Sequence, residues 1–288
     1  MADSKPTAAS LEQGSLKVKG NALTRFQQQY REYLGEFFGT FVMLLFGDGV
    51  VAQTVLSNGS AGDHLSIHIG WCLAVVFGIY VSGHQSGAHL NPSVTVSLAV
   101  HQGFPWRKVP GYILAQMLGA FLAAIVVFLN YYSAIDAFDG GVRTVPQRNA
   151  PKEVSSIATA GIFATYPAAY MTTVGAFFSE FIATSILLAG IYAVGDARNS
   201  VAPKTYGPIA VGLLVLSIGV ALGVETGYAL NPARDFGPRL ASFVCGYGAD
   251  VFTAFEGYFW IPIVAPVLGG VFGGYLFKAF CFFGEADN

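Results

Sequence analysis

A chain of 288 residues with 53% hydrophobic residues, only 11% charged ones and a net charge of −2 lacks the composition of a water-soluble domain, in which about a quarter of residues are charged. The mean hydropathy is +0.54, and 35 glycines suit helices that pack closely in a bilayer. The charge balance argues against nucleic acid as a partner, and no basic cluster marks a lipid-headgroup site.

Residues 1–31 are polar, with Lys5, Lys17, Lys19, Arg25 and Arg31 and no apolar core of a signal peptide. They read as a disordered N-terminal tail. Six stretches, near 34–56, 65–83, 110–130, 173–195, 207–224 and 257–281, are long and apolar enough to cross a bilayer, which takes about 20 residues each. Two shorter apolar runs, 92–101 and 232–244, each follow an Asn-Pro and are too short to span, so they read as re-entrant. A long loop, about 133–170, separates the third and fourth spans, and 284–288 form a short tail. Cys72, Cys245 and Cys281 lie in apolar surroundings without metal-ligand spacing and read as small buried hydrophobes. No metal or other cofactor is implied.

With six spans both termini share a side. That side receives the tail, Arg107, Lys108, Arg198, Lys204 and Lys278, against Arg143, Arg148, Lys152, Arg234 and Arg239 on the other. The positive-inside rule puts the termini in the cytoplasm. Asn58-Gly59-Ser60 then falls outside, as a glycosylation sequon or a chance match.

The halves repeat. Glu36 in Gly-Glu-Phe-Phe-Gly-Thr has a counterpart in Glu180 of Ser-Glu-Phe-Ile-Ala-Thr, and Asn91-Pro92-Ser93 has one in Asn231-Pro232-Ala233. An odd number of spans per half gives the copies opposite topology, with a site near the midplane where broken helices meet. The fold class is an all-α membrane protein: six transmembrane helices plus two re-entrant half-helices in an inverted three-plus-three repeat. The channel unit covers 32–283, with one repeat at about 32–132 and the second at about 171–283.

Asn is a favoured N-cap and Pro a favoured first helical residue. Two Asn-Pro pairs at matching places of an inverted repeat bring two helix N-termini face to face. Each carries about half a positive charge, so the meeting point repels cations. Each Asn can cap its helix with its carbonyl and turn amide N–H towards a lumen. A neutral hydroxylic solute can accept that bond.

Ser86-Gly87-Ala88-His89-Leu90-Asn91-Pro92-Ser93-Val94-Thr95 and Gly227-Tyr228-Ala229-Leu230-Asn231-Pro232-Ala233-Arg234 resemble the two signature loops of the aquaporin, or major intrinsic protein, family. The resemblance runs from about Glu32 to Phe283, with Ser93 where the family usually has Ala. It implies that Gly87, Ala88, His89, Leu90, Thr226, Gly227, Ala229 and Leu230 line a pore with backbone carbonyls. It also implies that Glu36 and Glu180 brace the amides behind them, and that the chain assembles as a homotetramer. Unbonded backbone is tolerated at membrane depth only where it faces protein or a water-filled cavity. The alternative for the glutamates is snorkelling to the headgroups. Asp48 either caps the outer end of the first span or serves the pore, and His89 braces its loop.

Counting from each Asn to the family's selectivity positions reaches Trp71, Gly219, Tyr228 and Arg234. Water-selective members resemble this set but usually carry His at the Gly219 position. Trp71 and Tyr228 would offer an apolar corner for a polyol's carbons, while Arg234 and nearby carbonyls bond its hydroxyls. Stripping an unpaired hydroxyl of water costs about 2–7 kcal/mol, so replacement bonds are required. Val75 and Val215 lie one turn from Trp71 and Gly219 on the same helix faces and line the lumen below.

Three further features resemble the glycerol-conducting branch, the aquaglyceroporins. They are Asp235 within Asn-Pro-Ala-Arg-Asp-Phe-Gly-Pro-Arg ending at Arg239, the loop run Phe163-Ala164-Thr165-Tyr166-Pro167, and Pro262-Ile263 in the sixth span. The implied function is a passive channel of the plasma membrane for glycerol, other small neutral polyols and water, closed to protons and ions. The alternatives are a water-selective aquaporin and a closed-pore structural membrane protein. An intramembrane enzyme has little support: the chain has no His-Glu-x-x-His, no Gly-x-Ser-x-Gly and no Cys/His pairing on facing spans.

Overall fold

A computed structural model describes residues 21–151, 153, 156–198 and 204–281, and no strand occurs among them. The chain order is α1 (Ala22–Gln29), α2 (Arg31–Leu56), α3 (His64–Ser86), α4 (Pro92–His101), α5 (Val109–Asn130), α6 (Tyr132–Asp139), α7 (Thr173–Gly195), α8 (Gly207–Leu222), α9 (Pro232–Ser242), α10 (Asp250–Gly257) and α11 (Ile261–Phe280). Each long helix starts or stops on local chemistry. Asp63 caps α3 by accepting from Ser66 N at 2.9 Å, while its own N–H donates to Ser66 Oγ at 3.1 Å. Gly87, at φ 86°, ends α3.

The two halves are built alike. In the first, α2 packs against α3 and α5; in the second, α7 packs against α8 and α11. Across the halves α3 meets α8, α9 lies on α5, and α4 lies on α11. Two matched glycines allow the closest approaches. A Cβ on Gly119 of α5 would stand 2.3 Å from the Phe37 carbonyl oxygen, and one on Gly269 of α11 would stand 2.2 Å from that of Phe181. Phe37 and Phe181 directly follow Glu36 and Glu180, so bare backbone at these glycines lets both glutamates reach the middle of the bundle.

Several expectations need correction. Part of the tail read as disordered is helical: Asn21 accepts from Thr24 N at 2.9 Å and so starts α1, which runs on through good helix formers. Residues 1–20 and 282–288, including the rest of both tails, lie outside the described residues. Among the described residues five helices are long and apolar enough to cross a membrane, and the helix in the place of the expected fifth span, α8, is shorter than the 207–224 read from the sequence. It ends at Leu222, and Gly223 caps it with helical φ/ψ by donating its N–H to Gly219 O at 3.0 Å. The run 232–244 is helical only to Ser242 before a wider turn, Phe243–Tyr247. Pro262 lies in the sixth span, as expected, in the first turn of α11, where its missing N–H costs nothing. Of the cysteines, only Cys72 is buried; Cys245 is half-buried and Cys281 exposed.

Replacing Gly269 with Ala should lower stability by about 1–3 kcal/mol through overpacking, seen as a lower melting temperature in detergent. Gly83→Ala, whose added methyl would meet nothing closer than 4.0 Å, should leave it nearly unchanged.

Candidate functional site

The N-termini of α4 and α9 meet head to head. Asn91 Oδ1 accepts from Ser93 N at 2.7 Å, and Asn231 Oδ1 accepts from Ala233 N at 2.9 Å and Arg234 N at 3.2 Å. Each amide also crosses to the other repeat: Asn91 Nδ2 donates to Leu230 O at 2.9 Å and Asn231 Nδ2 to Leu90 O at 2.8 Å. A carboxamide has two N–H groups, so each Asn spends one on the cross-tie and keeps one. Pro92 and Pro232 occupy the first turns, and Ser93 and Ala233 are wholly buried where the helix ends touch.

The segments leading into these caps have left-handed backbone at Ala88, Leu90, Tyr228 and Leu230, which leaves their amides unable to join a helix. Glu36 takes up the first set, accepting from His89 N at 2.9 Å, Leu90 N at 2.7 Å, Ser86 Oγ at 2.6 Å and Gln116 Nε2 at 2.7 Å. Glu180 takes up the second, accepting from Ala229 N at 2.8 Å and Leu230 N at 3.0 Å. Both carboxylates are completely buried, so neither snorkels. His89 turns Nδ1 to Thr95 Oγ1 at 3.1 Å and packs its ring on Phe104 and Tyr112.

Towards the face that carries the loop 133–170 stand Trp71, Tyr228 and Arg234. The Arg234 guanidinium lies 4.3 Å from the centre of a Trp71 ring and donates to Phe163 O at 3.1 Å. Phe163 belongs to the loop, and a clamp holds it there. Asp235 Oδ2 accepts from Thr165 N at 2.8 Å and Thr165 Oγ1 at 2.6 Å, while Asp235 Oδ1 accepts from Arg239 Nε at 2.8 Å. Arg239 then donates to Thr165 O at 2.7 Å and Val251 O at 2.6 Å, and its guanidinium lies over the Tyr166 ring. The loop run and Asp235–Arg239, noticed separately in the sequence, are thus one fastening that delivers a carbonyl to Arg234.

A cavity of about 290 Å³ runs from Trp71, Tyr228 and Arg234 past both Asn residues to Gly207 and Pro208. Val75, Val215, Gly87, Ala88, His89, Leu90, Ala229 and Leu230 line it, together with Ile79, Val94, Leu98, Leu187, Ile191 and Val211. Three anticipated residues do not. Thr226 is buried, with its hydroxyl turned to Glu180. Gly227 backs onto Thr165, whose Cγ2 would lie 3.2 Å from an added Cβ. Gly219 faces two rings: a Cβ there would stand 2.8 Å from His68 Nδ1 and 2.9 Å from Tyr228 Cζ.

The profile of the major intrinsic protein family matches residues 23–277. This chain belongs to that family. Aquaglyceroporin-2 of Rhizophagus irregularis is 50% identical over 257 residues, covering 89% of this chain and 79% of the relative. A probable aquaglyceroporin-2 of Gibberella zeae is 52% identical over 267 residues, covering 92% and 76%. The X-ray structure of the aquaglyceroporin from Plasmodium falciparum superposes with a TM-score of 0.76 at 38% identity, over 87% of this chain and 96% of that one. Within the family the chain stands with the aquaglyceroporins.

For this major intrinsic protein the sequence reading missed His68 and left Asp48 undecided. Asp48 does not cap α2, which continues to Leu56. It is fully buried, 3.8 Å from Arg234 Nη1, and neither carboxylate oxygen accepts a hydrogen bond among the described residues. It lies behind the guanidinium without a hydrogen bond to it. An acidic residue so deep in an apolar span was the available signal.

Arg239→Met should cost about 3–5 kcal/mol by leaving Asp235 charged, buried and without its cation. Combining it with Asp235→Leu should recover much of that loss, as read by thermal unfolding of the purified variants.

Proposed function

We propose that this chain is a passive channel for glycerol, other small neutral polyols and water, with Trp71, Tyr228 and Arg234 forming the constriction and Gly219 making room behind the tyrosine. The head-to-head half-helices inside one cavity carry this reading. They present the free N–H of Asn91 and Asn231 on one side of a lumen whose opposite wall is hydrocarbon. A polyol has the matching shape: hydroxyls along one edge, carbons along the other. The amides at His89, Leu90, Ala229 and Leu230 are occupied by Glu36 and Glu180, and the Leu90 and Leu230 carbonyls by the cross-ties, which leaves backbone carbonyls of Gly87–His89 and Ala229 as the acceptors a solute needs. A strictly water-selective channel would have no use for the apolar corner formed by Trp71 and Tyr228.

Protons and inorganic cations are excluded by two electrostatic effects. The facing helix ends put positive potential at the midpoint, and Arg234 adds a charge at the constriction, tempered by Asp48. A bare cation would also need several oxygen ligands where the central groups are N–H donors. The lumen carries out no reaction on its solute. The protein works as a homotetramer with one pore in each subunit, in the plasma membrane, with both termini in the cytoplasm; the distribution of Lys and Arg supports that orientation.

Stopped-flow light scattering of proteoliposomes tests the solute assignment. The unmutated protein should pass glycerol and water. Gly219→His should lower glycerol permeability by on the order of tenfold, equivalent to about 1.4 kcal/mol, with a smaller loss for water, because the imidazole drives Tyr228 into the lumen. Equal losses for both solutes would remove Gly219 from the selectivity assignment. In planar bilayers, Arg234→Val should admit a small proton or cation current, held down by the central barrier. A reproducible cation current through the unmutated channel would overturn the ion-exclusion reading.

A further inference from the structure

Tyr228 occupies an unusual position for a residue that must present a defined face to a solute. Its backbone has φ 40° in a segment without helical bonds, so no regular element fixes its side-chain direction. Two glycines form a floor under the ring. A Cβ on Gly223 would lie 2.8 Å from Tyr228 Cδ1, and one on Gly219 would lie 2.9 Å from Cζ. The glycines make room for the ring but supply no group that bonds its hydroxyl.

His68 supplies that group. It stands on α3 one turn before Trp71, on the same helix face. Its Nδ1 lies 2.8 Å from Tyr228 Oη, with the two ring centres 5.2 Å apart. The same nitrogen would be 2.8 Å from a Cβ on Gly219, so His68, Tyr228 and Gly219 meet at one point. The imidazole is half-buried and is not part of the cavity wall. Its hydrogen bond to Tyr228 is its contact with a residue of that wall.

We propose that His68 is a specificity-determining residue that acts by holding the Tyr228 hydroxyl. The bond draws that hydroxyl back against α3 and α8 and turns an amphipathic side chain into an apolar wall beside Trp71. Released, the hydroxyl would lie at the constriction, where it would compete with the lumen carbonyls and Arg234 for the hydroxyls of the solute. It would also narrow the slot that a carbon chain needs. Water, smaller and without a carbon chain, would be hindered less. Because a neutral imidazole can accept from the phenol and an imidazolium can donate to it, either form can make the tie.

The inference rests on the proposed constriction, and its test separates the two. Glycerol and water permeabilities of His68→Leu, His68→Asn, Tyr228→Phe and the double variant Tyr228→Phe/His68→Leu would be measured by stopped flow in liposomes. His68→Leu should lower the glycerol-to-water ratio about three- to tenfold, the range that one net hydrogen bond supplies. His68→Asn, with a polar atom near the place of Nδ1, should recover at least half of that loss. Tyr228→Phe shifts the ratio by its own amount, and adding His68→Leu to it should change nothing more, because the proposed action of His68 runs through the Tyr228 hydroxyl. His68→Ala supplies the same comparison if the leucine variant does not reconstitute. An unchanged ratio in His68→Leu while Gly219→His shifts it would overturn the role of His68 and leave the constriction standing. Additive effects in the double variant, or no recovery with Asn, would also overturn it. If none of these substitutions moves the ratio, the constriction itself is wrongly assigned and the inference falls with it.

Discussion

Glu36 and Glu180 each accept two backbone N–H groups from a segment that crosses the middle of the bundle without helical hydrogen bonds. In hydrocarbon an unsatisfied amide costs several kcal/mol, so irregular backbone at that depth survives only where something answers its donors. The carboxylates answer them from behind. Everything at the centre depends on that. With the amides spoken for, the chain can hold left-handed residues at Ala88, Leu90, Tyr228 and Leu230, start a half-helix at each Asn, and keep its carbonyls for the other side. The glutamates reach this position because Gly119 and Gly269 let α5 and α11 lie directly on the backbone next to them.

At the midplane the two repeats are tied to each other by a symmetric exchange, Asn91 to Leu230 and Asn231 to Leu90. Such an exchange fixes the separation and the mutual rotation of the half-helices together. It also divides labour within each carboxamide: the oxygen caps a helix, one N–H ties the repeats, and one N–H is left over, which the proposed function gives to a passing solute. An Asn is the shortest side chain that can do all three, since Asp lacks the donors and Ser lacks the second arm.

The proposed constriction is assembled differently. Trp71 comes from α3, Arg234 from α9, Tyr228 from a non-helical approach and the Phe163 carbonyl from a loop. None of these is adjacent in the chain, and the loop contribution requires the buried Asp235–Arg239 pair, itself bonded to Thr165 on two sides. Buried ion pairs add little stability by themselves but are costly to break. Here the pair fixes geometry: it seats the loop so that Arg234 has a partner above and Asp48 behind. The loop is fastened further out by Arg143 to Asp139 and by Arg148 to Glu256.

Sequence by itself determined the spans, the short Asn-Pro half-helices and the pairing of Glu36 with Glu180, because hydrophobic length, capping chemistry and internal repetition are local or periodic signals. The family resemblance, rather than the spacing alone, pointed to Trp71, Tyr228 and Arg234. The sequence reading misjudged α1, whose Asn21 cap is a weak signal in a polar tail, and it took Gly219, Thr226 and Gly227 for pore surface. Composition cannot tell a glycine that faces a lumen from one that faces a ring. Only the tertiary structure decided that His68 bonds Tyr228, that Asp48 backs Arg234, and that the loop run and Asp235–Arg239 form one clamp. Each of these is a contact between segments far apart in the chain, between single side chains with no repeating pattern, and only the packing of the helices brings their ends within hydrogen-bonding distance.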